Sequence, residues 1–406
     1  YKRQPLNRPK LPGIPGIRDF AGHTFHTSRW DYNYTGGTAE GGMDKLADKR
    51  IAVIGTGATA VQCVPHLAAS AERLYVCQRT PSSIDVRDNQ PTDLEWAAEL
   101  KPGWQRERMD NFNAWVSGQP QEVDLVEDGW TSLIGKMLRL YLESQEGEAL
   151  SLPDIMELAN LEKMNELRAR IEALVENPDT SEALKPWYRM FCKRPCFHDQ
   201  YLQTFNRDNV TLVDTEGQGV ERITGSGVVV AGVEYPVDCI VYATGFEVGT
   251  GFQRVSGFEI YGRDGQSLSD KWADGIRTLH GMHIHGFPNC FLMSTIQGGF
   301  TVNYPHMLDE VATHIAHIVG HALAIEKEVV ETSAEGEAEW VQTILDKGVR
   351  GGIIGDETCT PGYYNNEGRP REHFEQMVSY GDGPIPFFNL LAKWRDTGEF
   401  AGLTID

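Results

Sequence analysis

The apolar run Arg50-Ile51-Ala52-Val53-Ile54 passes directly into Gly55-Thr56-Gly57-Ala58-Thr59-Ala60, and no other feature constrains the chain as much. A short apolar run that ends in glycine reads as a buried parallel strand. In a G-x-G-x-x-A turn the first glycine allows the tight bend. The second lets a pyrophosphate approach the backbone, and the small third residue lets helix and strand pack closely. The phosphates then sit over the helix N-terminus. Residues 61–69 suit a helix, and Leu74-Tyr75-Val76-Cys77 supplies a second strand, completing a βαβ unit. In that context Gly55, Thr56, Gly57, Ala58, Thr59 and Ala60 predict a dinucleotide site, against the alternative of a mere tight turn.

The end of the second strand chooses the dinucleotide. An NAD site places an acid about 20 residues on, to hold the ribose 2′-hydroxyl. This chain has Gln78-Arg79-Thr80 there. A guanidinium and a hydroxyl suit a 2′-phosphate, so NADP is expected, with Arg79 and Thr80 as its contacts. The alternative is that Arg79 is an exposed strand-end charge.

With 406 residues, 40% of them hydrophobic, the chain is too long for one small core, and two or three domains are expected. A formal net charge of -21 opposes nucleic acid and anionic membranes. The basic start, Lys2, Arg3, Arg8 and Lys10, is broken by prolines and reads as a solvated linker. The seven cysteines are scattered, and Cys192 and Cys196 lack zinc-ribbon spacing. They read as buried or free thiols in a reducing cytosol, hence a cytoplasmic protein. No segment approaches the roughly 18 apolar residues of a membrane span, and no signal core opens the chain.

The opening Pro5–Pro15 is an extended connector, and Phe20–Asp31 is polar and aromatic without period. From about Asp85 to Tyr188 the texture is helical. Leu158, Leu161, Met164, Leu167, Ile171 and Leu174 form one apolar face, opened by Pro153-Asp154 and closed by Asn177-Pro178. Strand texture returns at Asn209–Asp214, Val228–Val230 and Cys239–Gly245. A later helix carries Met307, Leu308, Val311, Ile315, Ile318 and Val319. The expected fold is α/β: a doubly wound Rossmann-like domain split by a helical insertion.

Phe20, Gly22, His26, Trp30 and Asp31 resemble the F-x-G-x-x-x-H-x-x-x-W-(P/D) fingerprint of Baeyer–Villiger monooxygenases, just before the Gly-rich turn as in that family. The resemblance runs from Pro9 to about Gly402. It implies a two-dinucleotide-binding flavoprotein that takes a small-molecule ketone and O2 to an ester or lactone through a C4a-peroxyflavin, with FAD and NADPH. In the family His26 would link domains and couple cofactor motions; on residues alone it is a structural histidine. Cys192-Lys193-Arg194-Pro195-Cys196-Phe197-His198-Asp199 resembles the segment with the active-site arginine. Carried over, Arg194 would stabilise the peroxide and later oxyanion, and Lys193 would contact the 2′-phosphate beside Arg79; alone the two read as a solvated basic pair. Ala243-Thr244-Gly245-Phe246 resembles the A-T-G strand end of these flavoproteins, which makes Thr244 and Gly245 cofactor contacts. Gly286–Leu292 resembles the return into the flavin domain, and Gln297–Asn303 the flavin- and substrate-facing loop. The loop wording is closest to the subgroup acting on large cyclic or polycyclic ketones.

On this basis residues 1–19 are a connector from an FAD-domain segment that the sequence lacks. Residues 20–85 and 192–248 form the NADP domain, 86–191 a helical insertion, and 249–406 the C-terminal part of the FAD and substrate domain. The family's earlier G-x-G-x-x-G, which binds FAD, is absent here, so a fragment is expected rather than a lost module. The alternatives are an N- or S-hydroxylating flavin monooxygenase, opposed by Trp30-Asp31, and a flavin-less NADP-binding remnant without catalysis. His314, His317 and His321 lie near one helix face and could suggest a metal. No HExxH pattern or carboxylate cluster accompanies them, so structural histidines and no metal are expected.

Overall fold

The computed structural model describes residues 8–119, 121–145, 150–247, 252–347, 359–369 and 372–406. They fall into two units, one drawn from 1–91, 149–250 and 353–368, the other from 92–148, 251–352 and 369–406. The helical stretch 86–191 is thus shared between the units.

In the first unit β1 (His23–His26), β2 (Arg50–Ile54), β3 (Arg73–Gln78), β4 (Val210–Asp214) and β5 (Cys239–Tyr242) form a parallel sheet in the order β1-β5-β2-β3-β4. Alternation along each strand sorts its side chains to two faces. Ile51, Val53, Leu74, Val76 and Val241 pack against Ala60, Val61, Val64, Leu67 and Ala68 of helix α1 (Ala58–Ser70). Ala52, Ile54, Ile240 and Tyr242 face the other way, onto Val228 and Val230 of a three-stranded antiparallel sheet. Full burial of an Ile, Val or Leu side chain stabilises by about 1.5–3 kcal/mol. The Arg50–Asp238 ion pair at the sheet end, 3.0 Å long, is open to solvent and screened by it, so burial dominates.

Four expectations are corrected here. The Phe20–Asp31 segment contains β1, an edge strand whose period is too short to read from sequence. Val228–Val230 is a strand of the separate antiparallel sheet, not of the main one. In the helix Leu152–Leu174 the buried stripe is Ile155, Ala159, Lys163, Met164, Leu167 and Ile171, while Leu158 and Leu161 are exposed. Lys163 tolerates burial because its ammonium pairs with Asp85 at 2.5 Å. Asn177-Pro178 does not close that helix. Asn177 caps the next one, Pro178–Leu184, by accepting from the Thr180 N–H.

The second unit is mainly helical. Met307 and Val311 of the helix Tyr304–Ala324, Trp340 and Ile344 of Ala334–Lys347, and Phe387 and Leu391 of Pro384–Thr397 share one core. Gln297, fully buried, ties its loops: its amide nitrogen donates to the Ile276 and Gln376 carbonyls, and its oxygen accepts from Thr278. In the neighbouring loop the Thr301 hydroxyl donates to Asn113 at 3.0 Å, and Asn303 caps the helix Tyr304–Ala324.

Candidate functional site

The site begins at Gly55. Its φ of +106° lies where only glycine is comfortable, and a Cβ there would come 2.7 Å from the Ala243 carbonyl oxygen. The turn is therefore pressed against the loop after β5, the stretch holding Thr244 and Gly245. Gly57 differs: its φ is −74°, and a Cβ would meet nothing within 4 Å. It is the exposed N-cap of α1 and supplies no side-chain cap, so no side chain at that position closes off the N–H groups of the first turn, Ala58, Thr59 and Ala60. That is a surface a pyrophosphate can approach.

Thr56, buried, donates from its hydroxyl to the Thr80 carbonyl at 2.9 Å, and the Ser82 hydroxyl donates to the Thr56 carbonyl at 2.6 Å. These bonds hold the Gly-rich turn against the end of β3. Lys193 reaches the same place, its ammonium on the Thr80 hydroxyl and 5.6 Å from the centre of the Tyr188 ring. Burial and the neighbouring Arg79 guanidinium bring the Lys193 pKa down to about 8. Arg79 donates to the Pro361 carbonyl at 3.2 Å and pairs with Glu367 at 3.0 Å. The second oxygen of Glu367 accepts from Lys10 at 2.9 Å. Beside Arg79 lies an open cleft of about 470 Å³, edged by Pro81, Trp187, Asp214, Glu216 and Gly217.

His26 is buried on β1. Its Nε2 lies 3.0 Å from the Gly245 carbonyl and its Nδ1 2.8 Å from the Ser28 hydroxyl. Desolvation lowers its pKa, so the ring is neutral near pH 7 and Nε2 donates. The fingerprint residues around it have structural work. A Cβ on Gly22 would come 2.7 Å from the Asp238 carbonyl. Trp30 stacks edge-on to Phe25 and donates to Thr35, and Asp31 pairs with His23 and caps the turn Tyr32–Thr35.

Arg194 is exposed, two residues beyond Cys192. Its carbonyl accepts from the Cys196 thiol at 3.6 Å, and Cys196-Phe197 pairs with Ile84-Asp85. The reading of the cysteines as free thiols is corrected here. Cys192 and Cys359 form a disulfide across 167 residues, which joins the Lys193-Arg194 segment to the loop carrying Pro361 and Glu367. The linker reading of Lys10 is corrected too. Pro9 bridges to Phe246, and Lys10 exchanges backbone and hydroxyl bonds with Thr244 and Gly245. Lys2 and Arg3 lie outside the described residues.

So β2–α1, the end of β3, Lys193 and the loop after β5 come together in the first unit, with Arg194 on a neighbouring exposed turn. Lys10, Glu367 and the disulfide were not anticipated. The only signal for the Glu367 loop is its turn-forming run of Pro361, Gly362, Asn365, Asn366 and Gly368. His314, His317 and His321 go to different neighbours: His314 into the core against His280 and Trp394, the other two against Phe400. Among the described residues no group of His, Cys, Asp or Glu could hold a metal, and no helix is long and apolar enough to cross a membrane.

A parallel sheet with an antiparallel sheet on one face, and a Gly-rich turn before α1, define a dinucleotide-binding oxidoreductase of the two-dinucleotide flavoprotein type. No family model matches the chain. It is 54% identical over 403 residues to neopentalenolactone D synthase of Streptomyces avermitilis, covering 98% of this chain and 68% of that protein. It is 48% identical over 394 residues to a Baeyer–Villiger monooxygenase of Streptomyces coelicolor, covering 96% of this chain and 65% of that one. The polycyclic ketone monooxygenase of Thermothelomyces thermophila superposes with a TM-score of 0.88 at 37% identity, over 99% of this chain and 66% of that one. The chain belongs to the Baeyer–Villiger monooxygenase family, flavoproteins that use FAD and NADPH to oxidise ketones. It spans about two thirds of the length of these relatives.

Proposed function

We propose that this chain carries the NADPH-binding and oxyanion-stabilising parts of a Baeyer–Villiger monooxygenase acting on cyclic or polycyclic ketones. The observation that carries the reading is the convergence of Arg79, Lys193 and the uncapped start of α1 on one edge of the sheet. The pyrophosphate of NADPH rests over Gly57, Ala58, Thr59 and Ala60, and the 2′-phosphate meets Arg79, Thr80 and Lys193. The cleft beside Arg79, with Trp187 and Asp214 on its walls, has room for the adenosine. Both features fit the cofactor: a cradle without a side chain, and a cationic corner for a dianion.

FAD supplies the oxygen-activating chemistry when bound. Only one strand-to-helix G-x-G-x-x-(G/A) turn occurs in residues 1–406, so no residue here is assigned to the FAD pyrophosphate. What this chain adds is orientation and charge. Arg194 is a permanent cation with directed donors, suited to hold the oxyanion that develops when the ketone carbonyl is attacked. His26 acts as a positioning residue, fixing the loop of Thr244 and Gly245 beside the turn at Gly55. The setting we infer is cytoplasmic, where NADPH is supplied. The Cys192–Cys359 bond is the feature that argues against it, because disulfides are rare there.

The test is NADPH oxidation under air with FAD and a polycyclic ketone, and product analysis by mass. Ketone-dependent NADPH use with a lactone or ester one oxygen heavier, lost in Arg194→Ala, supports the reading. An N- or S-oxide from amine or sulfide substrates, with no oxygen inserted into ketones, overturns it.

A further inference from the structure

We propose that Glu367 is a built-in substitute for the cofactor's 2′-phosphate: its carboxylate fills the Arg79 corner until a phosphate exchanges for it. This rests on the reading above that Arg79 receives the 2′-phosphate. One carboxylate oxygen of Glu367 lies 3.0 Å from Arg79 Nη2, and the other accepts from Lys10 Nζ at 2.9 Å. A phosphate on Arg79 would meet that carboxylate head-on, with like charges a few ångströms apart in a half-buried corner. Both cannot use the same guanidinium face.

The loop that presents Glu367 is held shut by its own bonds. Asn365 donates to the Cys359 and Thr360 carbonyls and accepts from the Gly362 and Gly368 N–H groups. The Glu367 N–H donates to the Gly362 carbonyl at 2.8 Å. Asn366 and Glu367 both have left-handed backbone, φ +53° and +57°, an arrangement most side chains avoid. The Cys192–Cys359 disulfide anchors the loop next to Lys193. Glu367 is therefore delivered to Arg79 rather than drifting to it. Burial raises its pKa, but the Lys10 hydrogen bond and the Arg79 charge outweigh it and hold the carboxyl below its ordinary value, so it stays ionised.

Exchange has a cost that falls only on ligands reaching Arg79 with charge. A nucleotide whose ribose carries a 2′-hydroxyl leaves Glu367 in place, while a 2′-phosphate must displace it. Glu367 thus sets the strength of the discrimination between the two cofactors from inside the site.

The experiment is calorimetric binding of 2′-AMP and 5′-AMP to the full chain and to Glu367→Gln, Glu367→Ala and Arg79→Ala, with thermal midpoints taken alongside. Expected is about tenfold tighter 2′-AMP in both Glu367 variants, unchanged 5′-AMP, and weaker 2′-AMP in Arg79→Ala. If Arg79→Ala weakens 2′-AMP but neither Glu367 variant tightens it, the exchange is overturned and the phosphate site stands. If Arg79→Ala leaves 2′-AMP unchanged, the phosphate site itself is wrong and the exchange falls with it. The two Glu367 substitutions differ in polarity and volume, so a folding defect in one does not decide the result.

Discussion

His26 Nε2 lies 3.0 Å from the carbonyl oxygen of Gly245, joining the edge strand β1 to the loop that leaves β5. The neutral ring donates this bond, and the same loop presses on the turn at Gly55. Replacing His26 by Ala removes it at a cost of about 0.5–1.5 kcal/mol. The measurable result is a lower thermal midpoint together with weaker NADP binding. His26→Gln, which keeps a donor, recovers part of both. Loss of stability with unaltered NADP affinity would show that the loop does not shape the cofactor site.

Gly55 and Gly57 separate folding from binding. Gly55→Ala combines a positive φ with a 2.7 Å contact to backbone, and is expected to destabilise by about 2–4 kcal/mol. Gly57→Ala fits its own backbone and meets no neighbour, so the midpoint stays within a few degrees. Its methyl group stands where the pyrophosphate approaches, and NADP affinity falls tenfold or more, by about 1.4 kcal/mol. Thermal unfolding and NADP titration on both variants read the contrast.

Lys193 gives the site a pH dependence. With its pKa brought down to about 8, it is charged at pH 7 and loses its charge as pH rises through 8. A neutral amine attracts phosphate less, so the preference for NADP over NAD declines from pH 7 to pH 9. Lys193→Met is expected to flatten that decline and to lower NADP affinity about tenfold at pH 7. A wild-type preference that is constant over this range would refute the assignment of Lys193 to the phosphate.

The disulfide can be counted. Cys63, Cys77, Cys196, Cys239 and Cys290 are free, so the denatured, unreduced protein should titrate five thiols, and seven after reduction. Cys359→Ser opens the link between residues 192 and 359, and is expected to destabilise by about 2–5 kcal/mol. Seven thiols without reductant would mean that the two cysteines meet without bonding.

Acid should loosen the second unit first. Burial lowers His280 to about 3, His283 to about 4 and His314 to about 2. The unfolded chain binds protons at these sites from about pH 6.5 downward while the folded chain does not. Stability is therefore present above pH 6.5 and is lost as pH falls below it, by at most about 1.4 kcal/mol per pH unit for each histidine. Hydrogen exchange at pH 7 and pH 5 is expected to show the helix Tyr304–Ala324 losing protection; equal protection at both values would exclude the effect.

The local chemistry of the site is written in consecutive residues. The apolar run at Arg50–Ile54 and the spacing of Gly55, Gly57 and Ala60 fix a strand, a turn and a helix, because each depends on backbone conformation within a few residues; the phosphate preference proposed for Arg79 rests on its place at the end of the second strand. The fingerprint from Phe20 to Asp31 was legible as a pattern but not as a strand, since four residues carry too little period. Which face of the helix Leu152–Leu174 is buried could not be read, because Leu158 and Leu161 suit a core as well as Ile155 and Ala159 do. Only the assembled fold decides that choice. Only the fold, likewise, brings Glu367 to Arg79 across 288 positions in the chain, or Cys359 to Cys192 across 167. A charge or a thiol specifies that it will find a partner; the closure of long loops around the sheet determines which one.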